Sequence, residues 1–130
     1  METRKQLAIE RKKACNCAQA VIATYADLAS IDEETAMALG SAFGSGMGNM
    51  EGTCGALTGA AIVLGLVKRD KLKARKPIIN IMKKFQERNG ATQCKLLKGV
   101  GTGKVLRSCE DCVGDACEFL EEEISKNNFL

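Results

Sequence analysis

Seven cysteines in a chain of 130 residues without a single histidine point its chemistry to sulfur. Roles as general base, zinc ligand or haem ligand that need imidazole are excluded within the chain. Cys54-Gly55-Ala56-Leu57-Thr58-Gly59 closes a stretch with seven glycines between Gly40 and Gly59, and Cys109-Glu110-Asp111-Cys112 is a CxxC. Cys54, Cys94 and Cys109 each fall at a predicted helix start. There, unpaired backbone N–H groups and the helix dipole favour a thiolate, which suits a redox dithiol and a metal thiolate equally. Cys15 and Cys17 lie about 200° apart on one predicted helix, so they cannot share an ion while it stays intact.

The rest of the composition narrows the field. The length fits one domain able to bury a core without covalent staples. Hydrophobic residues at 45% and charged residues at 27% fit an ordinary soluble protein, and a net charge of +3 gives no reason to expect nucleic acid or membrane as partner. Four Phe, one Tyr and no Trp leave little for base or sugar stacking. Met1 to Lys13 is charged throughout and lacks the apolar run of a signal peptide, so a reducing cytoplasm is expected. In that setting many thiols indicate metal binding or redox work rather than a disulfide framework.

Helical periodicity runs nearly throughout. Leu7, Cys17, Val21, Ile22, Tyr25 and Leu28 describe one amphipathic helix from about Arg4 to Leu28. Ser30 with Glu33 gives a capping-box signal for a short helix to about Leu39. Gly40 to Gly52 reads as a loop with left-handed or closely approached positions. Thr53 opens a buried helix to about Val67 whose Gly55, Ala56, Gly59 and Ala60 let another helix, or a second copy of the chain, approach closely. Its apolar run is too short to span a bilayer. Asp70 to Arg88 is a helix kinked or begun at Pro77 and stopped at Gly90, and Thr92 to Leu97 is a short helix. Ser108 caps a last helix to about Lys126. The expectation is an all-α, compact single-domain bundle of about five or six helices with a glycine-rich loop.

Asn16-Cys17-Ala18-Gln19-Ala20-Val21, Phe43-Gly44-Ser45-Gly46-Met47-Gly48, the CGALTG box, Cys94 with Leu97 and Gly99, and Cys109 before an acidic helix resemble the family called C-GCAxxG-C-C. The similarity runs from about Lys13 to Leu120. It implies a helical domain with four characteristic cysteines, here Cys17, Cys54, Cys94 and Cys109, and a redox role. The family is also similar to the cysteine-bearing part of split-Soret cytochromes, which implies an iron-sulfur cluster. The haem ligands of those cytochromes have no counterpart here, so no haem is expected.

Four thiolates from separate segments are the usual ligand count for an iron-sulfur cluster or for tetrahedral zinc. Iron-sulfur is favoured, since structural zinc more typically uses paired CxxC knuckles. Backbone N–H groups of Gly44, Gly46, Gly48, Gly52 and Gly55 would serve the cluster's sulfides. The competing reading is a metal-free dithiol protein, using the CxxC or a cross-helix pair such as Cys54 with Cys94 or Cys17. Glu110 and Asp111 count against the CxxC because their charges raise thiol pKa. Cys15, Cys112 and Cys117 read as small buried hydrophobes, and a wholly structural role for all seven stays open. The spacing of Gly46, Gly48 and Gly52 lacks the strand and lysine of a nucleotide site. The basic run Lys68 to Lys76 reads as a solvated surface, able to meet the acidic Glu118 and Glu121 to Glu123 within or between subunits. Met47 and Met50 flank the glycine loop as possible contacts of a site. A protein redox partner, and an electron-transfer or redox-sensing role, complete the expectation.

Overall fold

The computed structural model describes residues 3–127, and among them the regular structure is all helical, apart from an isolated antiparallel bridge between Thr53 and Gln93. The helices are α1 (Arg4–Lys12), α2 (Cys17–Thr24), α3 (Ala26–Ala29), α4 (Glu33–Gly40), α5 (Gly44–Met47), α6 (Gly55–Lys68), α7 (Lys71–Asn89), α8 (Cys94–Leu97) and α9 (Cys109–Asn127). The all-α class stands, with more and shorter segments than the five or six expected. No helix among the described residues is long and apolar enough to cross a membrane.

The single helix expected from Arg4 to Leu28 is broken in two places. Asn16 caps α2: its Oδ1 accepts from the Gln19 N–H at 2.8 Å, and Gln19 Oε1 accepts from the Asn16 N–H at 3.1 Å. A side chain that satisfies the orphan donors of a new helix start makes a break there as favourable as continuation. The apolar period survives because both halves face one core, α1 packing on α9 and α2 on α6. Tyr25 then leaves the helical region at φ −108°, ψ 12°. Ser30 is not the N-cap of α4; it is the C-cap of α3, in the left-handed region at φ 60°. Asp32 caps α4 instead, accepting from the Thr35 N–H at 2.7 Å.

The core gathers Ile22, Tyr25, Leu57, Leu64, Ile81, Phe85 and Leu120, all buried. The small face of α6 is used within the chain. A Cβ at Gly59 would stand 3.0 Å from the Ala18 carbonyl oxygen and 3.1 Å from Val21 Cβ, both on α2. α7 runs through Pro77 from the Asp70 cap, and Gly90 closes it in the left-handed region, donating to the Gln86 carbonyl. Asp115 of α9, fully buried, accepts from Arg88 at 2.9 Å, Asn89 at 3.1 Å and two Arg107 nitrogens at 3.0 Å. That network fixes the end of α7 and the segment before α9 to one carboxylate. The acidic stretch of α9 also meets α7 through Lys84–Glu122 and Arg88–Glu118, each at 2.8 Å.

Asn16 also donates to the Gly40 carbonyl at 3.0 Å, so one side chain joins the start of α2 to the end of α4. Asn16→Ala is expected to lower unfolding stability by about 1–2 kcal/mol, the range of a lost cap, in urea denaturation followed by circular dichroism. A change below a few tenths would contradict the capping role.

Candidate redox site

Cys17 opens α2, Cys54 is the N-cap of α6, Cys94 opens α8 and Cys109 opens α9. These four, with Cys112 one turn further along α9, line one small pocket together with Ser45, Gly55, Leu97, Lys98 and Arg107. The pocket encloses about 10 Å³, roughly the room of a single water. All seven cysteines of the chain are free thiols. Cys17, Cys54, Cys94 and Cys112 are buried, while Cys109 is half-buried and reaches the surface.

Backbone pairing sets this convergence. The Cys54 N–H donates to the Thr92 carbonyl at 2.8 Å, the Cys94 N–H to Gly52 at 3.0 Å and the Lys95 N–H to Met50 at 2.8 Å. The glycine loop is thereby stitched to α8. Part of it, α5, is a tight turn in which Ser45 and Gly46 are left-handed, at φ 52° and 55°. A Cβ at Gly46 would stand 2.5 Å from Cys94 Cβ, and one at Gly55 would stand 3.3 Å from Cys17 Cβ. Gly44 packs on Asn16, Gly52 on the Gly46 carbonyl, and Gly48 faces open space. The glycines expected to contact a cofactor thus pack mostly on the chain itself, and of that set Gly55 lines the pocket. Met47 and Met50, both left-handed, are not among its lining residues.

The thiols influence one another in two pairs. The neighbouring Cys17 thiol, with the Lys98 ammonium, outweighs burial and holds the Cys109 thiol down at about 5. Cys17 is pushed up by the same interaction and by burial. Cys54 is lowered chiefly by its interaction with Cys112, which is raised in turn. Burial raises Cys94, against a lowering pull from Lys98. The expected unfavourable influence of Glu110 and Asp111 does not govern Cys109: Asp111 lies 4.0 Å from Arg107, and the Cys17 thiol and Lys98 dominate.

The four cysteines named from the sequence come together, and the pairs cross between elements rather than following the CxxC. Cys112, read from the sequence as apolar filler, belongs to the pocket. The signal for it was its position three residues after Cys109, on the same side of a helix. Lys98 and Arg107 carried no such signal, since the chain folds back to place them. Cys15 lies elsewhere, its Sγ donating to the Arg11 carbonyl at 3.2 Å. Cys117 is fully buried and raised to about 12 by burial, as a small hydrophobe would be. Among the described residues no three Cys, Asp or Glu side chains form a group that could hold a metal ion.

Alkylation of Cys109 by iodoacetamide is expected to follow a titration with midpoint near 5, because the thiolate is the reactive form. Lys98→Met should move that midpoint upward. Peptide-resolved alkylation rates from pH 4 to 9 check this, and an unperturbed midpoint near 8.5 in the parent protein would contradict it.

No curated protein and no solved structure matches the chain. A family model described as "Putative redox-active protein (C_GCAxxG_C_C)" matches residues 15–123, a span that includes every cysteine of the pocket. The chain belongs to the C_GCAxxG_C_C family.

Proposed function

We propose that Cys17 and Cys109 form a thiol–disulfide couple that exchanges electron pairs with a protein partner. The observation that carries this reading is the placing of the buried Cys17 and the half-buried Cys109 in one pocket beside Lys98. A thiolate that reaches the surface is the natural attacking group, and its protonated neighbour is the resolving one. Cys109 attacks a sulfur of a disulfide on the partner, forming a mixed disulfide and releasing one partner thiolate. Cys17 then gives up its proton and attacks the Cys109 sulfur, which releases the second partner thiol. Two electrons pass to the partner, and the Cys17–Cys109 disulfide remains. A reducing compartment such as the cytoplasm would restore the couple.

A second reading is an iron-sulfur centre on Cys17, Cys54, Cys94 and Cys109. It is favoured by the convergence of four thiols from separate segments, more than one disulfide uses. The donor set fits such a cluster in kind and number. Lys98 and Arg107 would offset the charge of its thiolates, and the bound group would supply one-electron transfer. The spacing fits less well, because a pocket with room for one water would have to widen. Tetrahedral zinc, which needs its donors around one point, has less support.

The test is equilibration of anaerobically purified protein with oxidised and reduced dithiothreitol, followed by peptide mapping. A Cys17–Cys109 disulfide is expected. Cys17→Ser and Cys109→Ser should each abolish it and slow reduction of a model disulfide by at least about 100-fold. Iron and acid-labile sulfide near stoichiometry, with no disulfide between these residues, would replace this reading with the second.

A further inference from the structure

Cys112 is the pocket's fifth thiol, and the family's set of four cysteines does not include it. It is only 2% exposed, lies one helical turn beyond Cys109 and shares the pocket with Cys54, which stands at the start of α6 where that helix packs on α9. Cys54 in turn is the N-cap residue of α6, its carbonyl accepting from the Leu57 N–H at 3.0 Å. Its neighbour Gly55 lies against Cys17, since a Cβ there would be 3.3 Å from Cys17 Cβ. The inner pair therefore borders the outer one inside the same cavity.

We infer that Cys54 and Cys112 are a second, inner redox couple that passes its electron pair to the outer couple, so that each chain stores two pairs rather than one. This rests on the thiol–disulfide reading given above. The oxidant is the Cys17–Cys109 disulfide left by the partner. The Cys54 thiolate attacks the Cys17 sulfur; the Cys17–Cys109 bond breaks and Cys109 leaves as thiolate. Cys112 transfers its proton to Cys17 as its sulfur attacks Cys54, which breaks the Cys54–Cys17 bond. The net change is two electrons and one proton moved outward, with a Cys54–Cys112 disulfide formed and the Cys17–Cys109 pair restored. Burial of the inner couple shields it from direct attack by solutes, so exchange through the outer pair is its route to oxidation.

The experiment is stepwise oxidation of the full chain with oxidised dithiothreitol, counting residual thiols by mass and mapping the linked peptides. The parent protein should end with two disulfides, the inner Cys54–Cys112 accumulating first because the outer pair passes its oxidation inward, and Cys17–Cys109 persisting once the inner couple is oxidised. Cys112→Ser and Cys112→Ala should each halve the number of disulfides, with unchanged far-ultraviolet circular dichroism showing that the fold is retained. Because the parent's own linkage map decides the pairing, a variant that fails to fold leaves the test intact. An end point of Cys17–Cys109 alone would overturn this inference and leave the outer couple standing. A second disulfide joining Cys54 to Cys94, or Cys109 to Cys112, would also overturn it. The absence of any disulfide would overturn both readings.

Discussion

The close approach of the glycine loop to α8 is the constraint on which the pocket depends. A side chain at Gly46 would collide with Cys94 Cβ at 2.5 Å, and the left-handed turn there is open to glycine at little cost. With the loop seated, Gly52 and Thr92 accept from the N–H groups of Cys94 and Cys54. Two cysteines forty residues apart are thereby placed by backbone hydrogen bonds, not by their own side chains. Asn16 does the corresponding work for Cys17, and Ser108 for Cys109, whose helix it caps by accepting from the Asp111 N–H at 3.1 Å. Four helix starts meet because two side-chain caps and two backbone hydrogen bonds fix them. The Asp115 network then holds Arg107 to α9 beside the pocket.

Burial alone would raise every thiol in such a pocket and leave it inert. Pairing divides the outcome. In each pair the interaction of the two sulfurs lowers one thiol and raises the other, so the more acidic thiol faces a less acidic neighbour. Lys98 distinguishes the two pairs, since its ammonium acts on the half-buried Cys109 while Cys54 and Cys112 are both buried. This asymmetry gives the pocket an outer and an inner end.

Much of this was readable from residue order. The helix over Asp70 to Arg88, the Gly90 stop and the Ser108 cap follow from local signals, and the structure places them as expected. The four cysteines were visible through their order and the CGALTG box. The break at Asn16 was not, because α1 and α2 keep one apolar period while facing the same core. Ser30 misled because Asp32, two residues later, is the better cap. Cys112 reads as filler in the sequence because Cys54 lies 58 residues away and only the packing of α9 on α6 brings them into one pocket. The same is true of Lys98, which gains its role when the chain after α8 turns back over the pocket.

Native mass spectrometry of the protein purified without air tests the central claim most directly, because it weighs the pocket's contents and the oxidation state of its sulfurs together. The account predicts the mass of the bare chain with every thiol reduced, falling by about two mass units for each disulfide as oxidant is added. A mass raised by iron and sulfide, lost together with colour on exposure to air, would contradict it.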